Sequence, residues 1–216
     1  MSALELRNAL LPDGRIQCVV IQGKLIRCIQ TGHSIGNRFI DVGGRLVVPG
    51  ANFMHGHFRL PGGEYKETWH HAVQAAHYGG VATVADQPNT NPPTTTEQLF
   101  DDKIALIGDP GIRYRLWFGA TPHNLGEFRK VCRHPLFASI KTFMGSSTGD
   151  LLVENESDQL AVSAECAQCD ILQSVHSEHE PTIRANRTLF PAPTVADHNR
   201  IRTPEAAIAS QVMNLY

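Results

Sequence analysis

The chain has 216 residues, 42% of them hydrophobic, with 19 basic and 21 acidic side chains. That length suits one large domain or a core domain with a small appendage, and the balanced charge gives no basic excess for nucleic acid. The longest apolar runs, such as Leu46-Val47-Val48, are far too short for a bilayer helix. The first residues lack the charged start and apolar core of a signal peptide, and five cysteines at irregular spacing fit a reduced, cytoplasmic protein.

Residues 1–48 read as a small all-β piece. Leu4 to Asn8 alternates apolar and polar side chains, and Pro12-Asp13-Gly14-Arg15 is a turn. Cys18-Val19-Val20-Ile21 and Leu25-Ile26-Arg27-Cys28-Ile29 flank Gln22-Gly23-Lys24, which suits a hairpin. Phe39-Ile40-Asp41-Val42 and Leu46-Val47-Val48 bracket Gly43-Gly44 in the same way, predicting a second hairpin.

From residue 49 to 216 the pattern becomes strand, loop, helix. Apolar strand candidates fall at 50–57, 80–87, 113–119, 138–144 and 171–177. Helices are expected at 68–77, 95–107, 125–133, 156–169 and 204–215, the second opening on threonines and Glu97 as an N-cap requires. Strands separated by helices predict parallel β-α units, in a doubly wound sheet or a (β/α)8 barrel. In either fold the chemistry gathers at the carboxyl ends of the strands.

The polar residues fall there. Met54-His55-Gly56-His57-Phe58-Arg59 sets two imidazoles and a guanidinium at alternate positions, which on a strand share one face. Two such histidines can hold a metal, and the arginine can hold a carboxylate. Asn89 follows the second strand, Lys141 lies in the fourth and His176 in the fifth. A lysine in an apolar strand is costly unless paired or modified; the plain reading of Lys141 is a stem along the wall with its ammonium at the rim.

Other motifs read as structural. Cys166-Ala167-Gln168-Cys169 lacks the second pair of a zinc knuckle and sits at a helix end, where no thioredoxin-like motif belongs. Gly145 to Asp150 lacks the lysine of a phosphate-binding loop and reads as a tight loop over the pocket. His70, His71, His77, His123, His134, His179 and His198 are expected at the surface.

The run Pro49-Gly50 to Thr68, with His55-Gly56-His57-Phe58-Arg59, resembles dihydroorotase of the amidohydrolase superfamily. Gly79 to Val84 leading into Pro88-Asn89-Thr90-Asn91-Pro92-Pro93, Lys141 to Val153, Val175 to Glu178 and Ile183 to Asn186 extend the likeness in the family's order. The resemblance implies a partial TIM-like (β/α)8 barrel of about five β-α units over 49–216, after a small β-sandwich-like subdomain over 1–48. It implies that His55 and His57 bind a first zinc ion, that Lys141 is carboxylated and bridges to a second, and that His176 binds the second. Arg59 and Asn89 would hold the substrate carboxylate. The implied reaction is the reversible interconversion of dihydroorotate and N-carbamoyl-aspartate in pyrimidine biosynthesis.

The sequence departs from that family in places. Phe53 stands where it usually has Asp, Leu60 where it has an acidic residue, and Gln87 where it has Met. The family's chain is about twice as long, and its later metal-binding His and proton-shuttling Asp have no counterpart before Tyr216. No catalytic acid or base is therefore assigned. The expectation is a fragment, a truncated product or one part of a split assembly, very weakly active alone. An oligomer or a partner chain would complete the barrel, and the partner of the site is a small molecule bearing a carboxylate. The alternatives are an allantoinase or hydantoinase type of cyclic amidase, or a catalytically dead scaffolding relative.

Overall fold

The computed structural model describes residues 3–33, 38–147 and 151–213, which divide into two compact units, 1–50 and 51–216. The first unit is a four-stranded sheet of β1 (Leu4–Leu10), β2 (Ile16–Gln22), β3 (Leu25–Gln30) and β4 (Arg38–Asp41), in the order β3-β2-β1-β4. The β2-β3 hairpin turns at Gly23, whose positive φ of 63° suits a residue without a Cβ. Leu6, Ala9, Val19 and Ile21 pack with Val42 and Val47 in a small apolar cluster. Glu5 and Cys18, at the alternate positions, are buried too.

The hairpin expected around Gly43-Gly44 does not form. β4 instead runs parallel to β1, and Leu46 makes an isolated parallel bridge to Leu10. The amide of Gly44 donates to Asn8 O and that of Val47 to Leu10 O, so the chain continues along β1 rather than folding back on β4.

The second unit holds β5 (Ala51–Gly56), β6 (Val81–Asp86), β7 (Arg113–Gly119), β8 (Phe137–Phe143) and β9 (Gln173–His176). All pairings are parallel and follow chain order. An unreversed order is that of a barrel wall rather than of a doubly wound sheet. The result is a curled five-stranded half-barrel.

Helices cover one face of that wall: α1 (Trp69–Tyr78), α2 (Glu97–Ile107), the short α3 (Phe128–Val131) and α4 (Glu156–Gln168). Thr68 and Thr96 cap α1 and α2 by accepting from the amides of His71 and Leu99. The core joins Trp69 and Val73 of α1, Phe100 of α2, Phe128 of α3 and Val162 of α4 to Val84, Leu116, Phe118 and Ile140 of the strands. Cys166 is buried in the same core, and burial pushes its thiol up to about 11, which fits the structural reading of that cysteine pair.

Two helices have no counterpart among the sequence expectations: α5 (Glu180–Arg187) and α6 (His198–Ile201), which precede α7 (Pro204–Met213). α5 buries one apolar side chain, Ile183, against Phe190, Ile201 and Ala206. A single apolar anchor gives no periodic stripe to read.

Candidate metal centre

β5 delivers Phe53 and His55 on alternate positions, and His57 follows its last residue. The two imidazoles stand edge to face, their centroids 5.5 Å apart. Burial lowers the pKa of both rings. Lys141, His57 and His176 lower it further at His55, and Arg59 does so at His57. Both rings are therefore neutral near pH 7, the form that ligates a metal. His57 Nδ1 lies 2.9 Å from Asn89 Oδ1. With Nδ1 donating to that oxygen, Nε2 keeps its lone pair for a metal.

Lys141 ends up 2% exposed at the carboxyl half of β8. Among the described residues no carboxylate pairs with its amine, which lies 5.3 Å from the centre of the Phe143 ring. Burial holds its pKa below that of an ordinary lysine. The rim-ammonium reading is thus corrected: the amine is inside, and desolvation favours its neutral, nucleophilic form.

His176 closes β9, its ring centroid 5.9 Å from that of Phe143. Its Nε2 sits 2.7 Å from Glu178 Oε2. The same oxygen accepts from Arg202, which also donates to the carbonyl of Ser146. With Nε2 donating to that carboxylate, Glu178 fixes the ring and Nδ1 keeps a lone pair that could hold a metal.

Arg59 and Asn89 meet in a cavity of about 160 Å³ that Gly62, Tyr65, Lys66 and Asn91 also line. Two loops are knitted together to build it: the Asn91 amide donates to Pro61 O at 3.0 Å. Gly62, at φ 83°, passes so close to Asn91 that a Cβ there would collide with its carbonyl. Arg59 and Lys66 make the cavity cationic, which suits a carboxylate. The bond from His57 to Asn89 joins this cavity to the imidazole pair.

A buried clamp holds the end of β5. Asp86 Oδ1 accepts from the amide of Phe58, the neighbour of His57, at 2.8 Å. Asp86 Oδ2 lies 2.7 Å from Lys103 Nζ, and both side chains are at most 1% exposed. Lys103 Nζ also donates to Gln87 O at 3.3 Å, and the Gln87 amide to Gly56 O at 2.8 Å. Sequence reasoning missed Asp86, Lys103, Glu178 and Arg202. A charged residue ending an apolar strand was the available signal for Asp86, and a carboxylate two positions after His176 was that for Glu178; Lys103 and Arg202 have none, because their partners are distant in the chain.

Gln87 is 1% exposed, and neither its Oε1 nor its Nε2 has a hydrogen-bond partner among the described residues. An unsatisfied buried amide costs about 1–3 kcal/mol, and Met has nearly its volume without the polar atoms. We expect Gln87→Met to raise the unfolding free energy by about 1 kcal/mol or more, read as a higher denaturant midpoint at an unchanged m-value.

Two histidines expected at the surface are half-buried. His134 stacks edge to face on Phe100 and accepts from the Leu136 amide, and His179 meets Thr182 Oγ1 at 2.8 Å. Both do structural work. Of the loop expected over the pocket, Gly145 to Ser147 is described, and Arg202 binds it through Ser146; residues 148–150 lie outside the described residues. No helix among the described residues is long and apolar enough to cross a membrane.

Residues 44–107 match the family model described as dihydro-orotase-like. A protein named dihydroorotase from Halobacterium salinarum is 34% identical over 212 residues, covering 95% of this chain and 48% of that one. Another from Methanosarcina acetivorans is 35% identical, covering 84% of this chain and 38% of that one. The chain therefore spans about half the length of the curated relatives it matches. Among solved structures, the L-hydantoinase (dihydropyrimidinase) of Arthrobacter aurescens superposes with a TM-score of 0.88 at 23% identity, over all of this chain and 50% of that one. A D-hydantoinase follows at 0.82 and 20%. At those identities the likeness is one of fold.

Proposed function

We propose that this chain is a portion of a dihydroorotase-like amidohydrolase, and that its site acts on a cyclic amide bearing a carboxylate, interconverting dihydroorotate and N-carbamoyl-aspartate; the likeness to dihydroorotases over 95% of the chain supports this. The observation that carries the reading is the His57–Asn89 bond, which couples an imidazole pair to a cationic cavity containing Arg59. The hydrolytic chemistry belongs to the first; the choice of an acidic ring belongs to the second.

The donor set fits two zinc ions. His55 and His57 would hold the first and His176 the second, with Lys141, carboxylated, between them. A neutral Lys141 amine can take up carbon dioxide with loss of a proton to solvent, and the carbamate supplies the anionic oxygens that no carboxylate among the described residues offers at this buried position. Bound zinc would lower the pKa of water and polarise the ring carbonyl. The chain's own residues bind and orient. Arg59 and Asn89 Nδ2 orient the carboxylate, Glu178 fixes the tautomer of His176, and Asn89 fixes that of His57.

Charge-assisted hydrogen bonds contribute about 1.5–3 kcal/mol. Arg59→Ala should therefore weaken dihydroorotate binding about 10- to 100-fold, while an uncharged ring such as hydantoin changes less than about twofold. Titration calorimetry of both ligands on the zinc-loaded chain checks this. Equal losses for the two rings, or none for dihydroorotate, would remove the carboxylate reading and favour a hydantoinase type. A Cys18→Ser chain that retains no zinc at the barrel site would favour the scaffolding relative.

A further inference from the structure

The first unit brings together three side chains that the chemistry above does not use. Glu5 on β1, Cys18 on β2 and His33 beyond β3 place their ligand atoms all within 4.8 Å of one another. The sheet register explains how. Glu5 pairs with Val20, so Cys18 lies two residues along β2 on the same face. Gln30, the last residue of β3, pairs with Cys18. Gly32 then turns the chain with φ 87°, and His33 comes back over Cys18.

We propose that Glu5, Cys18 and His33 form a mononuclear site for a zinc-class cation. One carboxylate, one thiolate and one imidazole make a mixed O, S, N set; zinc and cobalt accept it, whereas calcium and magnesium require oxygens. Three protein ligands leave a fourth tetrahedral position to water. Glu5 and Cys18 are buried, and His33 is exposed, giving the ion an entry side. Arg7 meets Glu5 Oε2 at 2.9 Å and stacks on Phe39, which holds the carboxylate in place. On binding, the ion replaces the Cys18 thiol proton, which leaves to solvent. Binding therefore weakens as pH falls.

Cobalt(II) titration of the full 216-residue chain tests this independently of the amidohydrolase centre, whose proposed donors are nitrogen and oxygen. A sulfur-to-cobalt charge-transfer band should grow and saturate, and cobalt taken up by the nitrogen and oxygen donors of the barrel adds nothing to it. Cys18→Ser should abolish it, and Cys28→Ser, at the neighbouring exposed thiol, should leave it. His33 is exposed, so His33→Ala keeps the fold; it should weaken cobalt binding at least about tenfold, the low end for losing even a supporting group. Absence of the band, its survival in Cys18→Ser, or an unchanged affinity in His33→Ala would each overturn the proposal.

Discussion

Lys103→Met is expected to cost about 3–5 kcal/mol of stability, the usual consequence of removing one partner from a buried ion pair. The substitution keeps the volume of the stem and deletes only the charge. It leaves the Asp86 carboxylate, fully buried on the neighbouring strand, with one backbone amide for company. In a chain of this size that loss lowers the melting temperature by roughly 10 °C. The effect reaches the site because Asp86 also holds the Phe58 amide beside His57. Zinc affinity at the imidazole pair should fall about tenfold, as it does when supporting groups around ligands are lost. Asp86→Asn in the same background should recover part of the stability, since the amide keeps an acceptor for Phe58 and removes the stranded charge. Differential scanning calorimetry with zinc titration measures both arms. An unchanged melting temperature in Lys103→Met would mean that the pair is not the clamp described.

The sequence made the five barrel strands legible because each is an apolar run of strand length bounded by glycine, proline or polar residues. His55, His57 and Arg59 were legible as a set because strand alternation converts spacing directly into a shared face. What stayed hidden depends on pairing across the chain. Asp86 and Lys103 are 17 positions apart and look like an ordinary strand end and an ordinary helix charge until the two elements pack. Glu5, Cys18 and His33 come together only through the register of two hairpin-like pairings. The parallel course of β4 was misread because Gly43-Gly44 signals a turn without fixing where the chain goes next. α5 and α6 were missed because each buries a single apolar side chain, Ile183 and Ile201.

Lys141→Met should produce two opposite changes: a more stable metal-free chain and a lost metal bridge. The stability arm follows from desolvation. Burial lowers the Lys141 pKa from its ordinary 10.5. Below the depressed folded value, the folded chain buries an ammonium that the unfolded chain leaves in water, so the residue destabilises the fold. That cost shrinks as pH rises through the folded pKa toward 10.5 and disappears above it. Met carries the same stem without the amine, so the variant should unfold at a higher temperature at pH 7, with the difference closing as pH rises. The metal arm follows from the donor set. Without the amine no carbamate can form, and the two metal positions proposed at His55 with His57 and at His176 would lose the anion proposed to join them. Zinc per chain at the barrel site should drop from two to one or none, measured by elemental analysis after dialysis and set against His33→Ala to account for ions on the first unit. The neutral imidazoles sharpen the reading at low pH. Burial depresses both His55 and His57, so protons should begin to displace zinc only below about pH 6.5, where an ordinary imidazole is half protonated. A Lys141→Met chain that keeps two zinc ions would show that the lysine is no bridge. One that loses zinc and is also less stable would show that the amine is a structural group with a partner of its own.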